Sequence, residues 1–340
     1  MPCSWREAEF LKTNPFIRDS FRDATIYEWN YALLLRGSQP VISPWGLGKK
    51  LLSVAAVVLL PQLACAGSLK LGSISTNPVG ESKKFSPLAS YLAQQLKSEG
   101  LNQGKVVVAE SIPAMSSLLQ TQQVDLYIDS LFPSLAVSHL SGSKLLLRRW
   151  KTGKSEYRSI IFTRKDSGIA RLEDLKGKVI AFEEPFSSTS YFFPKVDLLK
   201  KGFRLAPKRQ GSEPVKTDEV GYIFSHGDTN TLFWVLNGAV AAGALDDQKY
   251  FMFAKNRDSF RIVHESVSFP RQIVSCRADF PAKLVARVKE LLLNMHQSEE
   301  GEKALRDFES TTKFDEIPVQ AIDLMARLKK YIDAELKLQR

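Results

Sequence analysis

The chain has 340 residues, 44% of them hydrophobic and 25% charged, which gives length for two buried cores and excludes a disordered or fibrous chain. Its net charge of +10 draws anions in a general way, but Lys and Arg are spread along the chain rather than gathered in a stripe, so no nucleic-acid partner is expected. His139, His226, His264 and His296 have no metal-ligand spacing, and neither a P-loop nor a Rossmann glycine fingerprint occurs, so neither metal nor cofactor is expected.

Residues 1–45 show no clear period and read as a mis-assigned start or an extension. Residues 46–66 read as a secretory signal peptide: Lys49 and Lys50, the apolar run 51–60, then Pro61 and Ala64-Cys65-Ala66. The run is shorter than the ~20 residues that span a bilayer, so cleavage after Ala66 and a periplasmic location are expected. A lipid anchor at Cys65 is the weaker alternative, because Gln62-Leu63-Ala64 match a lipobox poorly. Cys3 and Cys65 precede the cut, leaving Cys276 without a partner for an internal disulfide.

From Ser68 onward short apolar strands alternate with amphipathic helices. Strands are expected at 69–74, 105–109, 124–128 and 145–150. Helices are expected at 86–96, capped by Ser86 and opened by Pro87, then at 114–122 and 133–140. Residues 157–163 read as a crossing into a second α/β unit. That unit has helices at 171–175, 190–200 and 229–236, strands at 178–182 and 241–245, and a strand-like segment at 221–224. The chain returns through 260–277 and closes with helices at 282–295 and 319–336. Such alternation predicts mostly parallel sheets.

Ligands of open α/β sheets bind beyond the strands' carboxyl ends, where helix N-termini present unpaired N–H groups. Four loops qualify: 75–80, 129–132, 183–189 and 225–229. In the third, Ser187, Ser188, Thr189 and Ser190 open a helix directly after a buried strand, where hydroxyls and N–H groups can share one anion or where a serine simply caps the helix.

The runs Tyr157-Arg158-Ser159-Ile160-Ile161-Phe162, Leu172-Glu173-Asp174-Leu175-Lys176-Gly177-Lys178, Ala181-Phe182-Glu183-Glu184-Pro185-Phe186-Ser187-Ser188-Thr189-Ser190 and Val235-Leu236-Asn237-Gly238 resemble the phosphate/phosphite/phosphonate periplasmic binding proteins of ABC transporters. The resemblance implies a two-lobed periplasmic-binding-protein fold of type II, with the ligand in the inter-lobe cleft and two hinge crossovers. It implies capture rather than catalysis, an ABC permease as partner, and a monomer. The family's Ser-Thr-Ser grip on the phosphonate falls on Ser187, Ser188 and Thr189. A family tyrosine falls at or beside Asp129 and a family histidine at or beside Asp228; the tyrosine expected near Ile112 is absent.

Lobe one is then expected over 68–157 plus 266–340, and lobe two over 158–265. Ser130 and Thr229 flank the two carboxylates as further candidate ligand contacts. Asp228 can be the N-cap of its helix; alternatively Asp129, Asp228, Asp246 and Asp247 receive the amine of a zwitterionic ligand, since a bare carboxylate repels an oxyanion. The rival roles are a periplasmic sensor subunit for a membrane histidine kinase and capture of a zwitterionic or cationic solute.

Overall fold

The computed structural model describes residues 67–253 and 259–338; the extension, the signal-peptide reading and Cys65 lie outside them. Among the described residues no helix is long and apolar enough to cross a membrane.

The chain runs β1 (Gly67–Ile74), α1 (Pro78–Gln95), β2 (Leu101–Ala109), α2 (Ile112–Gln120), β3 (Leu126–Ser130), α3 (Leu131–Ser141) and β4 (Lys144–Lys151). It continues through β5 (Glu156–Tyr157), β6 (Ser159–Arg164), β7 (Val179–Phe182), α4 (Phe193–Lys200), β8 (Arg204–Pro207), β9 (Glu219–Phe224), α5 (Asp228–Leu236), β10 (Ala242–Asp246) and α6 (Asp247–Phe253). It ends with β11 (Phe260–Glu265), β12 (Phe269–Pro270), β13 (Gln272–Cys276), α7 (Ala282–Asn294), α8 (Glu299–Asp307), β14 (Thr311–Asp315) and α9 (Val319–Leu338).

Two six-stranded sheets result, ordered β14-β4-β13-β3-β1-β2 and β11-β6-β10-β7-β9-β8. Strands joined through a helix pair parallel, as β1 does with β2 and β3, and β7 with β9 and β10. The sheets are nevertheless mixed rather than mostly parallel. β13 runs antiparallel to β3 and β4, β14 to β4, and β6 to β10 and β11. β6 and β13 directly follow the two crossings, where the chain enters each sheet against the direction of its neighbours, whereas β14 comes later in the chain. The crossings are stitched as a ribbon, β5 against β12, with Tyr157 opposite Phe269.

The first helix departs from expectation. Asn77 caps it by accepting from the Gly80 N–H at 3.0 Å, and Pro78 fills its first turn, so Ser86 and Pro87 are interior. The proline is tolerated because the carbonyl it leaves without a donor belongs to exposed Lys83. The helix lies so close to β2 that a Cβ at Gly104 would sit 2.2 Å from the Ala89 carbonyl oxygen, which reserves that position for glycine.

The helix expected at 190–200 begins instead as a wide π turn over Ser188–Phe192 and becomes α-helical at Phe193. Pro194 cannot donate to the Ser190 carbonyl, which takes the Glu183 N–H at 3.1 Å instead. Helix α8 and strand β14 fall between the two closing helices, outside the elements expected above. α8 buries just Gly301, Ala304 and Leu305, too narrow a face for periodicity to reveal.

Apolar packing continues between the two sheets. One core joins Phe132 and Val137 of α3, Phe192 and Val196 after β7, Phe269 of the ribbon, and Met325 and Ile332 of α9. Phe132 stacks on Phe192 with centroids 4.1 Å apart, and Phe193 on Phe269 at 3.5 Å. α9 is further tied by a buried cluster in which Glu335 receives the Lys195 ammonium at 2.6 Å and the Tyr191 hydroxyl.

Candidate ligand-binding cleft

Between the sheets lies a cavity of about 190 Å³. Its walls come from the strand ends of both sheets, and its remaining side from the residues flanking the ribbon.

On the second sheet's side, the all-buried strand β7 delivers the hydroxyl turn. Ser187 caps that turn, its Oγ accepting from the Ser190 N–H at 3.1 Å. Ser188, 1% exposed, places its Oγ 2.8 Å from the Phe132 N–H in the first turn of α3, on the opposite wall. Thr189, 6% exposed, lines the cavity with Ser187 and Ser188, and its carbonyl is held by the Ser159 hydroxyl. Ser190 is buried and works through its backbone, donating to Ser187 and accepting from Glu183; it does not line the cavity. Two helix starts, each with a positive dipole end, thus converge on one space.

On the first sheet's side, Asp129 and Ser130 line the cavity at the end of β3. The Asp129 carboxylate accepts from the Ser130 N–H at 2.7 Å and the Ile74 N–H at 3.2 Å. Burial nevertheless pushes its pKa up to about 7, with Glu81 adding to the rise. Near neutral pH it is therefore in part a neutral carboxyl, able to donate to an anion rather than repel it.

The acidic loop behaves differently. Gly227, not Asp228, is the N-cap of α5, and no side chain caps it. The Asp228 carboxylate instead meets the ammonium of Lys249, which also lies 3.9 Å from Glu183. Burial lowers the Lys249 pKa but Glu183 and Asp228 outweigh it and raise the group above its ordinary value. Glu183 is pushed up to about 7 by burial, then by Asp228. Asp246 lines the cavity and accepts the Lys249 N–H at 2.9 Å, its pKa raised by burial. Thr229 is exposed, Asp247 bonds the Gln248 N–H at 3.0 Å, and neither these two nor Asp228 lines the cavity. The amine partner read for Asp228 is already supplied by the protein's own Lys249.

Several lining residues were not singled out from the sequence: Lys151, Tyr157, Lys249, Arg271 and Gln272. Lys151 pairs with Glu309 at 2.8 Å; burial first, then Arg149 and Arg271, lower it to about 8 against the pull of Glu309. Arg271 sits between β12 and β13, its backbone N–H held by the Ser155 carbonyl at 2.8 Å. Its guanidinium lies 5.0 Å from the centre of the Tyr157 ring. The available clue was position: in a two-lobed protein the residues flanking a crossing face the cleft. Among the described residues no group of His, Cys, Asp and Glu is arranged to hold a metal, and Cys276 is a free, buried thiol.

A family model described as "ABC transporter, phosphonate, periplasmic substrate-binding protein" matches residues 72–320. Among solved structures, the fold is similar to a Xanthomonas citri protein bound to chloride, with a TM-score of 0.75 and 24% identity over 79% of this chain and 99% of that one. It is also similar to the binding-protein component of a Pseudomonas aeruginosa ABC phosphonate transporter, with a TM-score of 0.60 and 16% identity over 79% and 88%. A third is the Prochlorococcus marinus PhnD1 in complex with methylphosphonate, with a TM-score of 0.56 and 17% identity over 78% and 99%. The fold is the two-lobed α/β fold of type II periplasmic binding proteins, with paired crossings between the sheets. The match over most of its length makes this chain a member of the phosphonate-type periplasmic substrate-binding proteins that serve ABC transporters.

Proposed function

We propose that the protein captures a phosphonate, phosphite or phosphate-like oxyanion outside the cytoplasm by hinge closure and presents it to an ABC permease. In this reading residues 46–66 are a signal peptide cut after Ala66, lobe one is 68–157 plus 266–340, and lobe two is 158–265. The protein acts as a monomer and performs no catalysis. The observation that carries the reading is the convergence of Ser187, Ser188 and Thr189 with the start of α3 on one small cavity. Hydroxyls and amide N–H groups arranged around a point stabilise an oxyanion and offer nothing that would activate a nucleophile. Closure follows because the donors come from both lobes, so the ligand completes its contacts only when they meet.

The cavity volume favours a small headgroup, such as phosphate or a short phosphonate. Asp129 and Asp246 also line it, and this favours, as a second reading, a ligand carrying an amine beyond its oxyanion. A thermal-shift series with phosphate, phosphite, methylphosphonate, 2-aminoethylphosphonate and sulfate tests both. A ligand at a hundred times its Kd adds about 2.7 kcal/mol to the folded state. The expected result is stabilisation by a phosphorus oxyanion that Thr189→Val abolishes. Stabilisation by cationic compounds alone would overturn the reading, and preference for 2-aminoethylphosphonate over methylphosphonate would establish the amine subsite.

A further inference from the structure

Arg271 lines the cleft with no carboxylate at ion-pair distance among the described residues, although Asp246 of the same cavity feels its charge. It is 8% exposed, it makes no ion pair among the described residues, and its Nη1 is buried without an acceptor there. The other cations are engaged: Lys249 by Asp228, Lys151 and Arg149 by Glu309. A buried guanidinium N–H with no acceptor costs free energy in the ligand-free protein, more than a neutral donor would. The face of Tyr157 offsets only part of that cost. The group lines the same cavity as the hydroxyl turn, and it faces Lys151 closely enough to depress that ammonium. An anion between them relieves both conditions at once.

We infer that Arg271 is a ligand-contacting residue that binds the anionic group of the solute from the hinge side of the cleft, and that it holds this contact in both open and closed forms. The inference rests on the oxyanion reading above. The second half follows from position: Arg271 directly follows β12 of the ribbon, and its backbone N–H is pinned to the Ser155 carbonyl just before β5. The ribbon carries both crossings between the sheets, so a contact made beside it would change least in a hinge rotation. Ser188 and Ser130 stand on opposite walls and meet the ligand together only on closure. Arg271 therefore supplies the first hold and the wall groups supply the rest, an order that also places the charge where a planar fork can take two oxygens.

The test is Arg271→Gln in the full chain, with the melting temperature measured alone and with the stabilising oxyanion of the series above, and affinity measured by calorimetry. Loss of at least a hundredfold in affinity is expected. The ligand-free melting temperature should stay within about 2 °C of wild type or rise, because the substitution removes a buried charge that has no ion pair among the described residues. Arg271→Lys should recover part of the affinity, keeping the charge and losing the fork. A marked fall in ligand-free melting temperature, or failure to fold, with affinity retained by Arg271→Lys in full, would make the guanidinium a structural group and overturn the inference. So would wild-type affinity in Arg271→Gln, while leaving the oxyanion reading intact. If no oxyanion stabilises the wild type, that reading fails and the inference fails with it.

Discussion

Two strand-to-helix loops stand side by side in the second sheet, one after β7 and one after β9, and they resolve the same problem in opposite ways. The hydroxyl turn after β7 is held from a distance. Phe192 stacks on Phe132 of the other wall, Tyr191 and Lys195 reach Glu335 of the last helix, and Ser188 bonds the start of α3. The acidic loop after β9 is answered from nearby, by Lys249 in the helix that follows the next strand, and much of its helix is exposed. A loop held by long-range contacts can keep hydroxyls aimed into a cavity. A loop whose charge is neutralised on the spot is committed first to the protein's own cation.

The largest effect should come from the anchor of the hydroxyl turn. Glu335→Gln leaves Lys195 buried without its counter-charge, and loss of one partner of a buried pair costs about 3–5 kcal/mol. Urea unfolding should show that loss; a change under 1 kcal/mol would mean the turn does not depend on the last helix.

Next comes the pH dependence of the acidic neighbour. Glu183 titrates at about 7 in the fold against an ordinary 4.5, so the folded state holds the proton more tightly than the unfolded chain. Its contribution is then fully present below about 4.5 and is lost as pH rises through 7, a slope worth about 3 kcal/mol. Glu309 has the opposite sign: Lys151 and Arg149 overcome burial and hold it at about 2, so its contribution is present above about 4.5 and fades as pH falls toward 2. Glu183→Gln should remove its share of the loss between pH 4.5 and 7, with the share of Asp129, also raised to about 7, remaining, and should leave the acid limb unchanged, as read from melting temperature across that range.

Ser188→Ala should cost about 1–3 kcal/mol in the ligand-free protein, since the buried Phe132 N–H loses its acceptor. The smallest effect sharpens the contrast most. Asp228→Asn should cost about 1 kcal/mol or less, because the Lys249 side chain is 38% exposed and solvent screens the pair. It should also leave oxyanion affinity within about twofold, well under the roughly tenfold that 1.4 kcal/mol would give. A larger shift in calorimetry would return the acidic loop to the site.

The hydroxyl turn was legible because its information is local: a buried strand, a run of hydroxyls and a helix start lie within a dozen residues. Asp129 and Ser130 were legible for the same reason. Asp228 was misread because its role depends on Lys249, and nothing in its own loop names that partner. The cap at Asn77 was missed because Ser86-Pro87 imitates a helix start inside a helix that in fact begins at Pro78.

By itself, the sequence determined the α/β alternation and the run of hydroxyls at a helix start, since apolar period, proline and hydroxyl placement act over a few residues; the two crossings were implied by the family resemblance. The tertiary structure alone decided the mixed direction of the sheets, the closure of the cavity and the company of Lys151, Tyr157 and Arg271. These residues come from separate stretches of chain, brought together when β12 pairs with β5 and β13 inserts between β3 and β4. Such pairing depends on the whole fold's burial and hydrogen bonding, which no window of the sequence contains.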